Sequence, residues 1–355
     1  MPQAIDSYAH FGTPGDGDGI LNLAWTLDER ACLGVDLEAV LERELRAEAG
    51  GGLEYLNRYF VQDPYGEAEL GPALAAFFSL PAGSFSVTCG AGVIALLHGL
   101  ARLATGETVH VVGDVYPDFP FWVQRSGGRC VHPEADRSGE APSAPLVFLE
   151  RPGLFGGPLA RLDDLAALCD GVAAHGTVVV VDESNGNYAP PALSAARLVA
   201  RLPNLVVLRG FSKAYGMGGL RLACCLASHA LAERIRQAVP PLLASSFSLR
   251  LGRAILELGD VAGPLRERIR AHRARAETLL RSAGFTSVVS AGEYLPYLLF
   301  RDDPEEVRER LEARGIRGKP HPVWSGSGAD AWYPYRLSAP LSAERMRTLE
   351  AKLAA

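Results

Sequence analysis

Between residues 45 and 240 the chain alternates short apolar runs with longer amphipathic stretches. Thr108-Val112, Leu146-Leu149, Val178-Val181 and Leu205-Leu208 are aliphatic or β-branched, without polar alternation. Such runs predict strands buried on both faces, which belong to parallel sheets covered by helices. Between them Gly92-Ala104, Leu162-His175 and Ser194-Arg201 read as helices. The β-α-β-α order predicts an α/β domain over 45–240, with a large, doubly wound, mostly parallel sheet. Near Pro240-Pro241 the pattern changes. Arg- and Leu-rich helices are predicted at Ser248-Gly259 and Gly263-Ala283. Short strands at Tyr297-Phe300 and Tyr335-Ser338 follow, with helices at Pro304-Arg314 and Ser342-Ala354. This describes a smaller α+β domain built from 241–355 and completed by 1–44. No internal repeat or low-complexity tract interrupts it.

A chain of 355 residues exceeds the usual size of a single core, which agrees with one large and one small domain. A formal charge of -6 gives no electrostatic reason to expect nucleic acid or an anionic membrane as partner. No stretch reaches the roughly 18 apolar residues needed to cross a bilayer. The N-terminal MPQAIDSYAHFGTPGDGDG is polar and glycine-rich, unlike a signal peptide. Six cysteines form no CxxC pair, and Cys224-Cys225 would point to opposite faces of a strand. Buried, reduced thiols in a cytoplasmic protein are the expectation. The histidines are scattered, so no metal site is expected.

Candidate chemistry concentrates in Gly210-Phe-Ser-Lys-Ala-Tyr-Gly-Met-Gly-Gly-Leu-Arg-Leu-Ala223. Here Lys213 leaves a strand and enters a glycine-rich turn. Lysine forms imines with carbonyls when a partly desolvated site makes the neutral amine accessible. Upstream, Asp182 of Val178-Val-Val-Val-Asp-Glu183 sits at the carboxyl end of a predicted buried strand, where doubly wound sheets bind ligands. A carboxylate there can pair with a protonated pyridine nitrogen. A helix N-cap is the other reading of Asp182. The separation of 31 residues, from 182 to 213, accommodates one further α-β unit and brings both residues to one sheet edge.

Ser212-Lys-Ala-Tyr-Gly-Met-Gly-Gly-Leu-Arg221 resembles the S-K-A-F-G-L-A-G-L-R signature of class I/II aminotransferases, nearest the histidinol-phosphate aminotransferase branch. Asp182-Glu183 resembles that family's D-E-A-Y. The resemblance implies pyridoxal-phosphate fold type I, with pyridoxal 5'-phosphate on Lys213 as a Schiff base and an amino acid as substrate. It implies a homodimer as well. Arg221 then pairs with the cofactor phosphate, assisted by the Ser212 hydroxyl. Thr88-Cys-Gly90-Ala91-Gly92 before a helix resembles the phosphate turn, with a plain tight turn as the alternative. Tyr116 aligns with the aromatic that stacks on the pyridine ring, with Phe119 as substitute. Tyr59 resembles the tyrosine that reaches the neighbouring subunit's phosphate; Tyr55 and Tyr65 compete for that role. Arg336, in Tyr335-Arg-Leu-Ser338, matches the arginine that clamps the substrate α-carboxylate. Lys319, His321 and Tyr294 lie in segments expected to face the substrate.

Two departures bear on the reaction. The family's N-P-x-N-P-T-G becomes Arg151-Pro-Gly-Leu-Phe-Gly-Gly157, which puts Leu154 where an asparagine contacts the cofactor's phenolic oxygen. The tyrosine of D-E-A-Y becomes Asn185, which substitutes for one such contact, with Tyr188 a candidate for the other. The leading reading is an aminotransferase. The alternative is a pyridoxal-phosphate lyase, decarboxylase, or cyclase or carbon–carbon bond-forming synthase of specialised metabolism. A ligand-sensing regulator ranks last, because no helix-turn-helix fits before residue 40.

Overall fold

The computed structural model describes residues 17, 19–57, 59, 61–133, 144–154, 161–324 and 333–354. The N-terminal segment through residue 16 and residues 155–157 of the altered motif lie outside them. After a two-residue strand β1 (Leu21–Asn22) come β2 (Ser86–Gly90), β3 (Thr108–Val112), β4 (Arg129–Val131) and β5 (Leu146–Glu150). Then follow β6 (Val178–Glu183), β7 (Leu205–Gly210) and β8 (Ala223–Ala227). Strands β2 to β8 form one seven-stranded sheet in the order β2-β8-β7-β6-β5-β3-β4. All neighbours are parallel except β8, which runs antiparallel to both β2 and β7.

Why the runs lack polar alternation is now visible. Val179 and Val181 enter one core, while Val178 and Val180 enter another on the opposite face. Cys224 and Cys225 divide in the same way. Helix Val93–Ala101 covers the second face with Leu96, Leu97 and Leu100, and Asp118–Arg125 adds Phe119 and Val123. The first face is covered by Glu67–Phe78 and Leu162–Ala173, and also by Ser246–Glu257. The large sheet's cover therefore extends past Pro240-Pro241. The Ser194-Arg201 segment forms a short 3-10 turn, Ala195–Leu198, rather than an α-helix.

A second sheet is formed by β9 (Val288–Ser290), β10 (Tyr297–Phe300), β12 (Lys319–Pro320) and β13 (Tyr335–Ser338), in the antiparallel order β12-β13-β10-β9. The intervening β11 (Ile316–Arg317) pairs in parallel with β1. Leu21 and Leu23 share a core with Leu298, Phe300 and Leu337, so the start of the chain packs with its end. The 20-residue helix Gly263–Ser282 joins the core on the large sheet's first face to the core of the second sheet. Leu265 and Ile269 sit in the first, Ala276 and Leu280 in the other. Among the described residues no helix is long and apolar enough to cross a membrane.

Candidate active site

A cavity of about 700 Å³ opens at the carboxyl ends of β5, β6 and β7, beneath β12 and β13. Its wall contains Asp182, Asn185, Ser212, Lys213, Arg221, Tyr116 and Arg336. A shallower depression of about 840 Å³ beside the last helix, lined by Arg314, Arg347 and Lys352, contains none of them.

Asp182 lies in register between Glu150 of β5 and Leu208 of β7, and its Oδ1 accepts the Ser184 N–H at 2.7 Å. Burial pushes its carboxyl up to about 6, opposed by the Ser184 hydrogen bonds and the Lys213 charge. Lys213 stands three residues beyond β7, followed by Ala214 in the left-handed region (φ 65). Asn187 holds this turn: its Nδ2 donates to the Gly210 carbonyl at 2.6 Å and the Lys213 carbonyl at 3.4 Å. Arg209 donates to Asn187 Oδ1 at 2.5 Å and to Glu183 at 2.9 Å. Glu183 also accepts from Ser194 Oγ at 2.5 Å and the Ala195 N–H at 2.7 Å. The second carboxylate of the Asp-Glu pair thus supports the scaffold. A Cβ on Gly186 would lie 2.1 Å from Arg209 Nη1, so a side chain there would break the network.

Arg221, itself left-handed (φ 51), reaches across the turn before Val93–Ala101. Its guanidinium donates to the Ala91 carbonyl at 2.9 Å and the Gly218 carbonyl at 3.2 Å. That helix has no side-chain cap, so its first N–H groups are available to an anion. Gly90 and Ala91 form the turn behind the wall, and Val93 and Ile94 form the wall itself. Tyr116 faces the cavity, while Phe119 stacks on Phe148 at 4.1 Å in the core, which removes it as a substitute.

Arg336 is 5% exposed. It donates to the Ala24 carbonyl at 3.0 Å, approaches His321 Nδ1 at 3.3 Å and lies over the Tyr297 ring at 4.1 Å. Among the described residues its buried Nε has no hydrogen-bond partner. Lys319 and His321 also line the wall; Tyr294 does not, and Tyr297 stands in its place. Burial, with the Arg336 and Lys213 charges, depresses Lys319 to about 5. The same causes, with Lys319 added, hold His321 well below the usual imidazole range.

Leu154 and Asn185 both face the cavity, and among the described residues the buried Asn185 Oδ1 has no hydrogen-bond partner. The Tyr188 ring lines the wall, but its hydroxyl donates to Glu29, so it does not replace the missing phenol. Tyr59 is 84% exposed and outside the cavity. Its competitors are engaged within the chain: Tyr55 with Glu69 and Tyr65 with the Arg236 carbonyl. The sequence reading missed Glu29, Asp118 and Glu150, three further wall acids. Glu150 Oε1 accepts the Tyr116 N–H at 2.8 Å, and burial beside Asp182 pushes its carboxyl up to about 8. Burial, with the Asp182 charge, raises Asp118 to about 6. The register of Glu150 opposite Asp182 follows from strand order, which no local motif reports.

The family profile described as aminotransferase class I and II matches residues 27–317. An aromatic amino acid aminotransferase of Cutibacterium acnes is 29% identical over 208 residues, 58% of this chain and 56% of its own length. One from Mycobacterium sp. strain KMS is 28% identical over 291 residues, covering 76% of this chain and 79% of that one. The histidinol-phosphate aminotransferase of Sinorhizobium meliloti, solved with pyridoxal-5'-phosphate, superposes with a TM-score of 0.70 at 22% identity, over 88% of this chain and 85% of that one. That likeness shows the shared fold, fold type I. The chain belongs to the class I and II aminotransferases, a family of pyridoxal-phosphate-dependent enzymes.

Proposed function

We propose that this protein moves the amino group of an amino acid to an oxo acid, with Lys213 and Asp182 as its central residues. The observation that carries the reading is the meeting of Lys213, Asp182 and Arg221 in one cavity at a sheet edge. The residues present suit pyridoxal 5'-phosphate. Arg221 faces carbonyls rather than a carboxylate, beside an uncapped helix start, which suits a phosphate. Asp182 has a buried carboxylate where a protonated ring nitrogen would sit.

When bound, the cofactor supplies an electron sink for charge that develops at the substrate Cα. Lys213 Nζ would hold the cofactor, and its amine would take and return the substrate Cα proton. Asp182 would pair its carboxylate with the ring nitrogen. Tyr116 and Ser212 shape the cofactor's seat, and Asn185 offers it an amide. The buried Nε of Arg336 would receive the substrate carboxylate, beside Lys319 and His321 on the same wall. Orientation of that carboxylate decides which bond at Cα lies ready to break.

The two-domain division, 45–240 against 1–44 with 241–355, belongs to the same proposal. The shared core of Leu21 and Leu23 with β10 and β13 supports it, and Ser246–Glu257 marks where the two meet. A homodimer is proposed as well. Leu45, Leu53, Leu56, Tyr59 and Val61 are exposed along one segment, with Leu242 bonded to Pro64 beside it, and Tyr59 would reach the partner's phosphate. Free cysteines, four of them buried, support a reducing, cytoplasmic setting.

Leu154 and the unpartnered Asn185 oxygen favour the second reading: decarboxylation, elimination or cyclisation on the same scaffold. Product analysis with a panel of amino acids decides between them. An oxo acid with stoichiometric pyridoxamine phosphate supports transamination. Carbon dioxide, an eliminated group or a ring sinks it. Borohydride reduction followed by peptide mapping is expected to leave the pyridoxyl mass on Lys213; a label on another lysine removes Lys213 from its role.

A further inference from the structure

Glu29 and Tyr188 face the cavity but have no part in the reading above. Glu29 precedes a short 3-10 turn, Arg30–Cys32, and is 4% exposed. A carboxyl is costly there, since burial disfavours its charge. A glutamine would accept the Tyr188 hydroxyl equally well, so that hydrogen bond does not explain the acid. The surroundings do. Oε1 accepts the Tyr188 hydroxyl, and Tyr188 lines the same cavity as Tyr297, the ring on which Arg336 rests. Lys213 and the Ala214 amide act on the carboxyl from the imine-forming turn, and Asp28 and the Cys32 thiol face it from its own segment. Glu29 therefore shares one cavity wall with the lysine and with the arginine proposed to hold the substrate.

We propose that Glu29 is the proton store for Lys213: its carboxyl exchanges a proton with the lysine nitrogen, aligned by Tyr188. This rests on Lys213 being the cofactor-bearing lysine. A free lysine amine is protonated near neutrality and neither attacks a carbonyl nor accepts a Cα proton. In the transfer the N–H bond on Lys213 breaks as an O–H bond forms on Glu29, and the reverse step restores both. No electron changes hands. Burial pushes Glu29 up to about 7, with Tyr188, Lys213 and the Ala214 amide opposing and Asp28 adding to the rise. An acid near the working pH exchanges its proton in both directions.

The test is a pH titration of the cofactor's absorbance band in the loaded protein, with no substrate present. A carboxylate beside a protonated nitrogen raises that nitrogen's midpoint, so Glu29→Gln is expected to lower the midpoint by about one pH unit or more. Glu29→Asp keeps the charge and should recover most of the shift. Tyr188→Phe removes the aligning donor and should shift the midpoint by a smaller amount. A purely structural role gives the opposite ranking, with Gln tolerated and Asp disruptive. A wild-type midpoint in Glu29→Gln overturns the proposal. If that variant fails to fold, Glu29→Asp and Tyr188→Phe decide: wild-type behaviour in Tyr188→Phe, with a displaced Glu29→Asp, also overturns it. A wild-type protein without a borohydride-reducible lysine overturns the parent reading instead, and this proposal with it.

Discussion

Replacing Gly92 by alanine separates cofactor binding from stability. Gly92 has φ 81 and ψ 167, a region that only glycine adopts without strain. A Cβ built there falls 2.4 Å from Arg221 Nη2 and 2.9 Å from its Cζ. Two costs follow. The backbone term is about 1–3 kcal/mol of folding stability. The second term is specific to the ligand, because the methyl drives the guanidinium away from the uncapped helix start. Loss of one charged hydrogen bond to phosphate is worth about 1.5–3 kcal/mol, or roughly 10- to 150-fold in the dissociation constant. Gly259→Ala is the control: φ is 74 there, but nothing lies within 4 Å of the new Cβ. The assay pairs urea unfolding with fluorescence titration of cofactor into cofactor-free protein. Both variants should lose stability, and only Gly92→Ala should lose affinity by tenfold or more. Equal affinities would refute the argument that Arg221 and this turn together hold the phosphate.

Asp182→Ala is expected to keep measurable cofactor binding while losing at least a hundredfold in turnover, since the carboxylate acts on charge that develops during reaction; full turnover contradicts its role. Arg336→Lys keeps the charge but loses the planar fork, so substrate affinity should fall about tenfold with the cofactor spectrum unchanged; unaltered affinity removes Arg336 from the carboxylate site. Burial raises Glu150 to about 8, Glu29 to about 7, and Asp118 and Asp182 to about 6, so the cofactor-free fold binds more protons than the unfolded chain between about pH 4 and 8. Their contribution to stability is full at the acid end and is lost as pH rises through those values. Unfolding at pH 5.5 and 8 should therefore show a smaller loss in Glu150→Gln than in wild type, and an equal loss argues against a protonated Glu150.

The strands and the lysine turn were legible in the chain because their causes are local. A run such as Val178-Val181 has no polar alternation because both faces of β6 are buried, and the length of the run sets the length of the strand. Ser212 to Arg221 reads as a lysine turn because the motif is continuous in sequence, although of its glycines only Gly216 is left-handed and Ala214 and Arg221 take that region without being glycine. The motif also placed Asp182 at the strand end, and the structure brings it into the same cavity as Lys213. How residues from distant segments meet had no local trace, even where a motif named the residue. Glu29, Tyr188, Tyr297 and Arg336 belong to four distant segments and meet only when β1 folds back against β11 and β13 covers the sheet edge. Glu150 looked like the polar end of an apolar run until strand order placed it opposite Asp182. Phe119 and Tyr116 are equally aromatic in sequence, and helix packing alone sent one into the core and left the other at the cavity. Propensity and motif act over a few residues and are written in order along the chain. The charge a carboxyl carries depends on what surrounds it, and those surroundings exist only once distant segments have packed.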